Sequence, residues 1–509
     1  MDLLYYFSIT YIRNIIKLKI MKKKKKSPHP TWALKHRLPG TELRNINNRY
    51  YLYEVSSKYD KVLKRAKKIT GKLLGRITQD EGFIQSDKDI LRNKSNNLII
   101  PTSISVREYG LSIFIQQYLV DIVEALKEYF PLYWKEIILI TYSRFGYKSC
   151  IKNMQLFSNK SFLQEEYGIS ISEKKISLLL RQLGRDRERI TEYMKSFIGS
   201  NNHVLVDMTN IFSSSRQISL VKTGYNSDLV FDSQFNLLYV YSLELNSPVF
   251  YRLYSGNIKD VKGFKLILDE SGLNDSIIIC DKGFYSENNI LHLDENKLRY
   301  IIPLRRNNKL IDYSRVEAGK IKKDNCYFKH ENRYIWYYTY PIKGKQIHIY
   351  QDDTLKQFEE TDYLNRIETY PEEYTLENYH IRKGRFGTIS MITNMIDVTS
   401  EEIYATYKSR VNIELMFDGM KNVLDNDKTY MQDEEALQGW VFINHIALQW
   451  YYKMYVLLKE SKEIKKHSIN DLVIHLKEIK KVKINNNWVL EPIISATEKF
   501  FLKLELHIT

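Results

Sequence analysis

Two short apolar segments, each ending in an aspartate, limit most strongly what this chain can fold into. HVLVD ends at Asp207 and SIIICD ends at Asp281. The second is a continuous apolar run, which is typical of a strand buried on both faces of a sheet. NLLYVYSLEL and PVFYRLYSG predict a hairpin after the first segment, and a helical stretch over Asp260–Leu268 leads into the second. The order of these elements predicts a mixed α/β sheet.

Length and composition indicate a globular chain, for which we expect about two to four domains. The 509 residues are 43% hydrophobic and 13% aromatic, which excludes wholesale disorder and collagen-like structure. The three cysteines, Cys150, Cys280 and Cys326, are too scattered for a disulfide framework or a cysteine-based zinc site. A reducing compartment, the cytoplasm, fits best.

The net charge points to polyanionic partners. The chain has 77 Lys and Arg residues against 61 Asp and Glu residues, for a net charge of +16. Basic surfaces bind nucleic acid because they release the counterions of its phosphates. A biased nucleotide composition of the source genome, with Lys only as a solvated surface residue, explains the same usage. Nucleic acid is therefore the first partner to test.

Two segments require a comparison with membrane sequences. Residues 1–20 are apolar, but the basic run lies after Met21, whereas a secretory signal peptide places its positive charge first. A misassigned extension before a true start at Met21 and an amphipathic membrane-surface segment are the alternatives. Trp440–Leu458 is interpreted as a buried core helix with one polar edge, because polar residues recur at every fourth position from His445 to Lys453.

Changes in periodicity divide the chain into seven segments. We expect a basic tail (1–47), a small β-rich module (48–100), a helical DNA-binding region (101–200), the first part of the sheet domain (201–306), a β-rich insertion (307–397), the second part of the sheet domain (398–460) and a Lys-rich helical region (461–509). In the helical DNA-binding region, Gly168 separates two predicted helices, and the second is basic and begins near Ser172. A helix-turn-helix that reads DNA and a generic αα-hairpin share this outline.

Asp207 and Asp281 are candidate ligands of divalent cations. Both follow apolar strands, and the strand ends of an α/β sheet hold functional side chains on a rigid scaffold. Either aspartate alone is more typical of a residue that caps the following turn or helix. A third carboxylate changes that balance.

The third carboxylate lies in YATYKSRVNIELMFDGMKNVL. Tyr407, Arg410, Glu414 and Lys421 fall at offsets of three, seven and fourteen residues, so a continuous α-helix directs all four into a sector about 60° wide. This face combines a metal ligand, Glu414, with groups suited to phosphate oxygens. Without the two aspartates, an i,i+4 surface pair of Arg410 and Glu414 on an amphipathic helix is the simpler interpretation.

Together these residues resemble the DDE transposases of bacterial insertion sequences, in the group with the YREK signature. That signature stands here as Tyr407-x2-Arg410-x3-Glu414-x6-Lys421. VDMTNIF, with Asp207, is similar to the first catalytic block of the family, and CDKGFYS, with Asp281, is similar to the second. SGNIKD is similar to a loop between them. The resemblance covers residues 203 to about 450.

The resemblance implies a ribonuclease H-like catalytic domain, interrupted by the β-rich insertion, that cleaves and joins DNA in cut-and-paste transposition. The implied ligands of two Mg²⁺ or Mn²⁺ ions are Asp207, Asp281 and Glu414, since hard cations suit an all-carboxylate site. The implied DNA-binding residues are Tyr407, Arg410 and Lys421. The implied partners are double-stranded DNA, at the inverted-repeat ends of the element and at its target, and a second copy of the chain in the DNA complex. The implied place of action is the bacterial cytoplasm, at the nucleoid.

Two other functions stay open. A transposase remnant would bind DNA through its basic surfaces without cutting it, and a ribonuclease H-like metal-dependent nuclease would use the same metal site. The sequence contains all three acids and the whole YREK signature. Strand-joining enzymes need that additional contact with a defined DNA end, so an active transposase is the leading hypothesis.

Four further residues have simpler interpretations. Trp336 lies in RYIWYYTY and is expected to pack in a strand rather than to stack on an unpaired base. His445 is expected to be a satisfied core histidine, and Lys282 is either a phosphate contact or a loop cation. Asp418 lies near the YREK face, but the spacing of the family motif selects Glu414.

Overall fold

The chain forms two compact units, Met1–Thr102 and Ser103–Thr509. The computed structural model describes residues 27–60, 64–90, 104–199, 203–224, 230, 232–258, 260–323, 326–425 and 427–508. The expectations for residues 1–20 and for a start at Met21 fall outside these ranges. Within the described ranges, no helix is long and apolar enough to cross a membrane.

The first unit contains a short helix, α1 (Thr31–Leu34), and a four-stranded antiparallel sheet. In sheet order, the strands are β1 (Thr41–Ile46), β2 (Arg49–Asp60), β3 (Arg65–Thr78) and β4 (Gly82–Gln85). The structure differs from the sequence prediction, because α1 and β1 lie within residues 1–47, where only a basic tail was expected. Asn47 and Asn48 adopt positive φ values of 49° and 58° in the turn that joins β1 to β2. Asparagine tolerates this conformation, so the Asn-Asn pair was a turn signal that the sequence already contained.

The second unit begins with strand β5 (Ile104–Glu108), followed by a group of helices. These are α2 (Gly110–Tyr118), α3 (Val120–Tyr129), α4 (Trp134–Tyr147), α5 (Ile151–Ser158), α6 (Phe162–Tyr167), α7 (Glu173–Arg185) and α8 (Arg187–Lys195). The predicted break is confirmed, because Gly168 ends α6 in the left-handed region and the Ser172 side chain caps α7.

A mixed sheet follows these helices. Its described strands are β6 (His203–Ser213), β7 (Lys222–Thr223), β8 (Ser233–Ser242), β9 (Ser247–Ser255), β10 (Ile277–Cys280), β11 (Arg299–Leu304), β12 (Tyr327–His330), β13 (Arg333–Ile342), β14 (Lys345–Asp352), β15 (Thr388–Thr393) and β16 (Lys428–Thr429). The order across the sheet is β12-β13-β14-β15-β11-β10-β6-β8-β7, with β9 paired to β8 and β16 to β6. β10 is parallel to both β6 and β11, whereas β8, β9 and β12 to β15 pair antiparallel to their neighbours. The predicted mixed α/β sheet is confirmed.

Helices are interspersed among the strands and continue after them. They are α9 (Asp260–Ser271), α10 (Glu287–Glu295), α11 (Ser314–Glu317), α12 (Asp353–Thr369), α13 (Leu376–Arg382), α14 (Ser400–Lys408), α15 (Val411–Asp418), α16 (Glu434–Glu460), α17 (Ile469–Glu478) and α18 (Ser495–Lys503). The long helix α12 lies within residues 307–397, where the sequence predicted mainly strands. Tyr363 is its one buried residue, so α12 lacks the apolar stripe by which helices are recognised in a sequence. The strands of this segment extend the same sheet, because β15 pairs with β11.

The C-terminal segment 461–509 contains a hairpin as well as helices. Strands β17 (Lys480–Ile484) and β18 (Asn487–Leu490) form the hairpin, and β17 also pairs with β5. The sequence prediction of a wholly helical region is therefore wrong for this part. Asn485 and Asn486 form the turn with positive φ, as Asn47 and Asn48 do in the first unit.

Helix α16 holds the sheet and the preceding helices together. The polar edge of α16 makes three contacts with α4, α8 and α3, which join Asn444 to Arg144 (2.8 Å), Gln449 to Tyr193 (2.8 Å) and Lys453 to Asp121 (2.6 Å). At Gly184 of α7 and Gly439 of α16, a Cβ would overlap with a carbonyl oxygen of the opposite helix, so both glycines are required for this close approach. The interpretation of this segment as a core helix with one polar edge is confirmed.

His445 faces the sheet from the same helix. It is fully buried, and its ring lies 5.9 Å from Tyr239 of β8 and 5.1 Å from Tyr251 of β9. Neither ring nitrogen has a hydrogen-bond partner within the described residues, which corrects the expectation of a satisfied histidine. Burial, together with the nearby positive charge of Arg187, lowers the pKa of His445 to about 3. The core therefore contains neutral imidazole.

We expect the folded state to lose stability as the pH falls from about 6.5 toward 4, because the unfolded chain binds a proton at His445 that the folded core excludes. The pKa of His445 is lower in the folded state than in the unfolded state. The folded protein is therefore most stable above the unfolded-state pKa of this histidine, and it loses stability as the pH falls below that value. His445→Leu should reduce the slope of the free energy of unfolding by up to about 1.4 kcal/mol per pH unit over this range. Urea unfolding at a series of pH values, followed by circular dichroism, measures the slope. The control is His507→Leu at an exposed position, and equal slopes in both variants would contradict the assignment.

Candidate active site

Asp207 and Asp281 lie at the same level of two parallel strands, Asp207 within β6 and Asp281 directly after β10. Val206 of β6 is opposite Cys280 of β10, so the two aspartates are the next residues along each strand. The structure corrects one detail: β6 continues for six residues beyond Asp207 to Ser213, and it pairs with β8 as far as Phe212. Asp207 therefore lies within a strand, at the level where the neighbouring strand ends.

Neither aspartate acts as a helix cap. Asp207 accepts a hydrogen bond from the backbone N–H of Met208 (2.9 Å) and is 17% exposed. Asp281 precedes the short turn Lys282–Phe284, and its side chain makes no capping hydrogen bond there. The capping interpretation is thus wrong for both residues.

The YREK signature lies on a helical segment that changes its winding twice. A Thr399–Glu402 capping box starts α14, and the backbone N–H of Arg410 then bonds to the carbonyl of Tyr407, three residues back instead of four. Helix α15 follows, and Gly419–Val423 forms a π-helical turn. The constant 100° per residue assumed in the sequence analysis therefore does not hold between Tyr407 and Lys421.

Arg410 connects the strand acid with the helix acid. Its Nη1 lies 3.0 Å from Asp207 Oδ2, and its Nη2 forms an ion pair with Oε1 of Glu414. The Arg410 side chain is 19% exposed, whereas Glu414 is 52% exposed. The pair with Glu414 that the sequence suggested is therefore present, but it is the exposed half of a bridge whose other half, Arg410 with Asp207, is largely buried.

The charges around Arg410 also affect its pKa. Burial alone would lower the pKa of Arg410, but Asp207, together with Tyr407, Asp281 and Glu414, raises it above its usual value. Burial raises the pKa of Tyr407 to about 12, Arg410 opposes this shift, and Asp281 adds to it. All three acids thus act on one guanidinium beside a neutral phenol.

Lys421 lies in the π-helical turn and is half-buried. A residue that the sequence analysis missed, Arg144 of α4, holds the end of this turn. Arg144 is buried, and its guanidinium donates to the carbonyl oxygens of Leu424 and Asp425, the latter at 2.9 Å, and to Asn444 Oδ1 at 2.8 Å. Burial lowers the pKa of Arg144 to about 10. Its partners lie about 280 residues later in the chain, so no local pattern identifies it.

Of the other residues considered from the sequence, Trp336 and Asp418 have structural partners. Trp336 is half-buried in β13 and contacts the ring of Tyr327 at 5.1 Å, as expected of a packed strand residue. Asp418 accepts a hydrogen bond from Asn422 (2.6 Å). Lys282 lies in the turn after Asp281.

The donor chemistry of the site suits a hard divalent cation, because all three candidate ligands are carboxylates. Within the described part of the chain, no group of three or more His, Cys, Asp or Glu side chains has the geometry to hold a metal ion. The guanidinium of Arg410 instead supplies the positive charge between Asp207 and Glu414.

The chain is similar to one protein family over part of its length and to a solved structure. Residues 200–450, which contain both aspartates and the complete YREK segment, match the family described as Transposase DDE domain. A cryo-EM structure of a piggyBac transposase synaptic complex with hairpin DNA is similar, with a TM-score of 0.40 and 11% sequence identity over 73% of this chain and 79% of that chain. No curated protein matches the sequence.

Arg410→Gln should destabilise the protein in EDTA by about 1–3 kcal/mol, because it leaves the partly buried carboxylate of Asp207 without its charged donor. The free energy of unfolding in urea measures the loss. Arg366→Gln is a matched control, since Arg366 forms an i,i+4 pair with Asp362 (2.8 Å) on the surface; we expect no measurable change there. An equal loss of unfolding free energy in the two variants would mean that the ion pairs of Arg410 stabilise the protein no more than a surface ion pair does.

Proposed function

We propose that this chain is a DDE transposase that cleaves and joins DNA at the ends of its own element. The observation that carries the proposal is the bridge from Asp207 through Arg410 to Glu414, with Asp281 directly after the adjacent strand β10. It assembles residues from three distant parts of the sequence, and all of them lie in the region that matches the transposase family.

The proposed catalytic domain is ribonuclease H-like and is interrupted by residues 307–397. The strand order supports this proposal, because it places Asp207 and Asp281 on parallel neighbours in the middle of the sheet. Arg144 and the capping box at Thr399 fix the two ends of the segment that carries Glu414. A rigid scaffold of this kind keeps reacting groups in position.

In the proposed mechanism, Asp207, Asp281 and Glu414 would hold two Mg²⁺ or Mn²⁺ ions. These residues would thereby provide Lewis-acid activation of a water or a DNA 3′-OH and stabilisation of the leaving oxygen of a phosphodiester. The chain's own residues would orient the substrate: Arg410 lies beside the acids, and its guanidinium would exchange these carboxylates for phosphate oxygens when DNA binds. Tyr407, with its pKa raised to about 12, contributes a neutral hydroxyl.

The proposed partners are double-stranded DNA, both at the inverted-repeat ends of the element and at its target, and a second copy of the chain in the DNA complex. The net charge of +16 favours DNA as a partner. We assign Lys421 to DNA binding on the spacing of the YREK signature. The proposed setting is the bacterial cytoplasm, at the nucleoid.

Asp207→Asn, Asp281→Asn and Glu414→Gln should each reduce Mg²⁺-dependent cleavage by about 10³-fold or more, because each removes a negative ligand of the ions while changing little volume. The assay uses purified protein and duplex DNA that carries the sequences flanking its own gene, in Mg²⁺ and in EDTA. DNA binding by the variants should be preserved.

Asp418→Asn is the matched control, since Asp418 lies on the same helix as Glu414 but pairs with Asn422; we expect it to cleave as the wild type does. Full activity in any of the three acid variants would remove that acid from the site. Binding without cutting by the wild type would favour a DNA-binding remnant, and cutting without regard to the element's ends would favour a nuclease.

A further inference from the structure

A two-stranded arm extends from the sheet of the first unit. We define this arm as Val55–Asp60 of β2 and Arg65–Thr70 of β3. Strand β1 pairs with β2 only as far as Glu54, and β4 pairs with β3 only over Gly75–Thr78. The strands of the arm therefore pair with each other and have no further strand on either side among the described residues. A two-stranded ribbon of this kind is only marginally stable in water.

The arm is exposed and basic. All residues of β3 from Arg65 to Lys72 are exposed, as are Ser56 to Tyr59 of β2. Its described cations, with the adjoining turn residue, are Lys58, Lys64, Arg65, Lys67 and Lys68, against one acid, Asp60. Lys68 forms an ion pair with Glu42 of β1 (2.6 Å). Most of the positive charge that the arm offers to a partner therefore comes from the other four cations.

The register places two of these cations in direct opposition. Lys58 is opposite Lys67, and cross-strand partners lie on the same face of an antiparallel pair. Two like charges at these positions repel each other and weaken a ribbon that is already marginal. When a polyanion binds, each lysine ammonium neutralises a phosphate instead of repelling the other ammonium. The two lysines then stabilise the bound arm.

We propose that the arm binds duplex DNA by lying in its major groove, with Lys58 and Lys67 on the phosphates. Six residues of strand span about 20 Å, and the major groove, about 12 Å wide, admits a two-stranded β-ribbon. Tyr59 is 61% exposed and Ile69 is 43% exposed, which leaves apolar surface on the arm for sugars and thymine methyl groups. The choice of DNA among polyanions rests on the proposed function.

The basic helix α7 is the competing DNA-binding element, and its contacts disfavour it. Arg181 lies 3.5 Å from Asp433 and Arg185 lies 2.8 Å from Glu435, so both guanidinium groups are paired with carboxylates. One face of α7 also lies against α16 through Gly184. The arm has no such covering element among the described residues of its unit.

The test compares the full-length wild type with the double variant Lys58→Gln/Lys67→Gln. Anisotropy of a labelled DNA duplex, measured between about 50 and 200 mM salt, gives the affinity and its salt dependence. We expect the variant to bind at least about tenfold more weakly, and by the same factor on all duplex sequences. We also expect the magnitude of the slope of log K against log salt concentration to fall by about two. Lys58→Arg/Lys67→Arg keeps both charges and should retain the wild-type slope.

The matched control is Lys35→Gln/Lys88→Gln, which removes the same charge from exposed positions of the same unit outside the arm. An unchanged slope in the arm variant, or an equal loss in the control, would overturn the proposal. Equal binding and equal loss on duplex RNA would also overturn it, since the major groove of RNA is too narrow for the ribbon. A wild type that binds no DNA at all would instead refute the proposed function.

Discussion

The ion pairs of Arg410 are the interaction on which the site depends. Two carboxylates from elements 207 residues apart would repel each other if they were brought together without a cation. One guanidinium contacts Asp207 at 3.0 Å and also Glu414, and its raised pKa keeps it charged. Asp281 also raises the pKa of this guanidinium, so the same cation offsets part of the charge of all three acids.

That bridge requires a rigid support on both sides. On the sheet side, the buried strand β10 and its parallel neighbour β6 fix the two aspartates. On the helix side, Arg144 holds the carbonyl groups that follow the π-helical turn and also contacts α16, which packs on the sheet through His445 and bonds to the preceding helices through its polar edge. The separation between Asp207 and Glu414 therefore depends on contacts that lie outside the site.

The sequence predicted the parts of the structure that have local signals. The apolar run before Asp281, the hairpin that follows Asp207 and the helix break at Gly168 were all visible in composition and periodicity. Helix α12 was missed because it is polar on nearly all sides, and the terminal hairpin was missed because its Asn-Asn turn lies in a Lys-rich region. The ion pair between Arg410 and Asp207, and the role of Arg144, depend on distant parts of the chain, so no spacing rule reveals them.

Mn²⁺ binding in the absence of DNA, followed by electron paramagnetic resonance, tests most directly whether the three acids form one cation site. We expect the wild type to bind Mn²⁺ and Asp207→Asn or Glu414→Gln to lose it. Arg410→Gln should bind Mn²⁺ more tightly, because the guanidinium no longer competes for the same carboxylates. Equal Mn²⁺ binding in the wild type and all three variants would contradict the central claim.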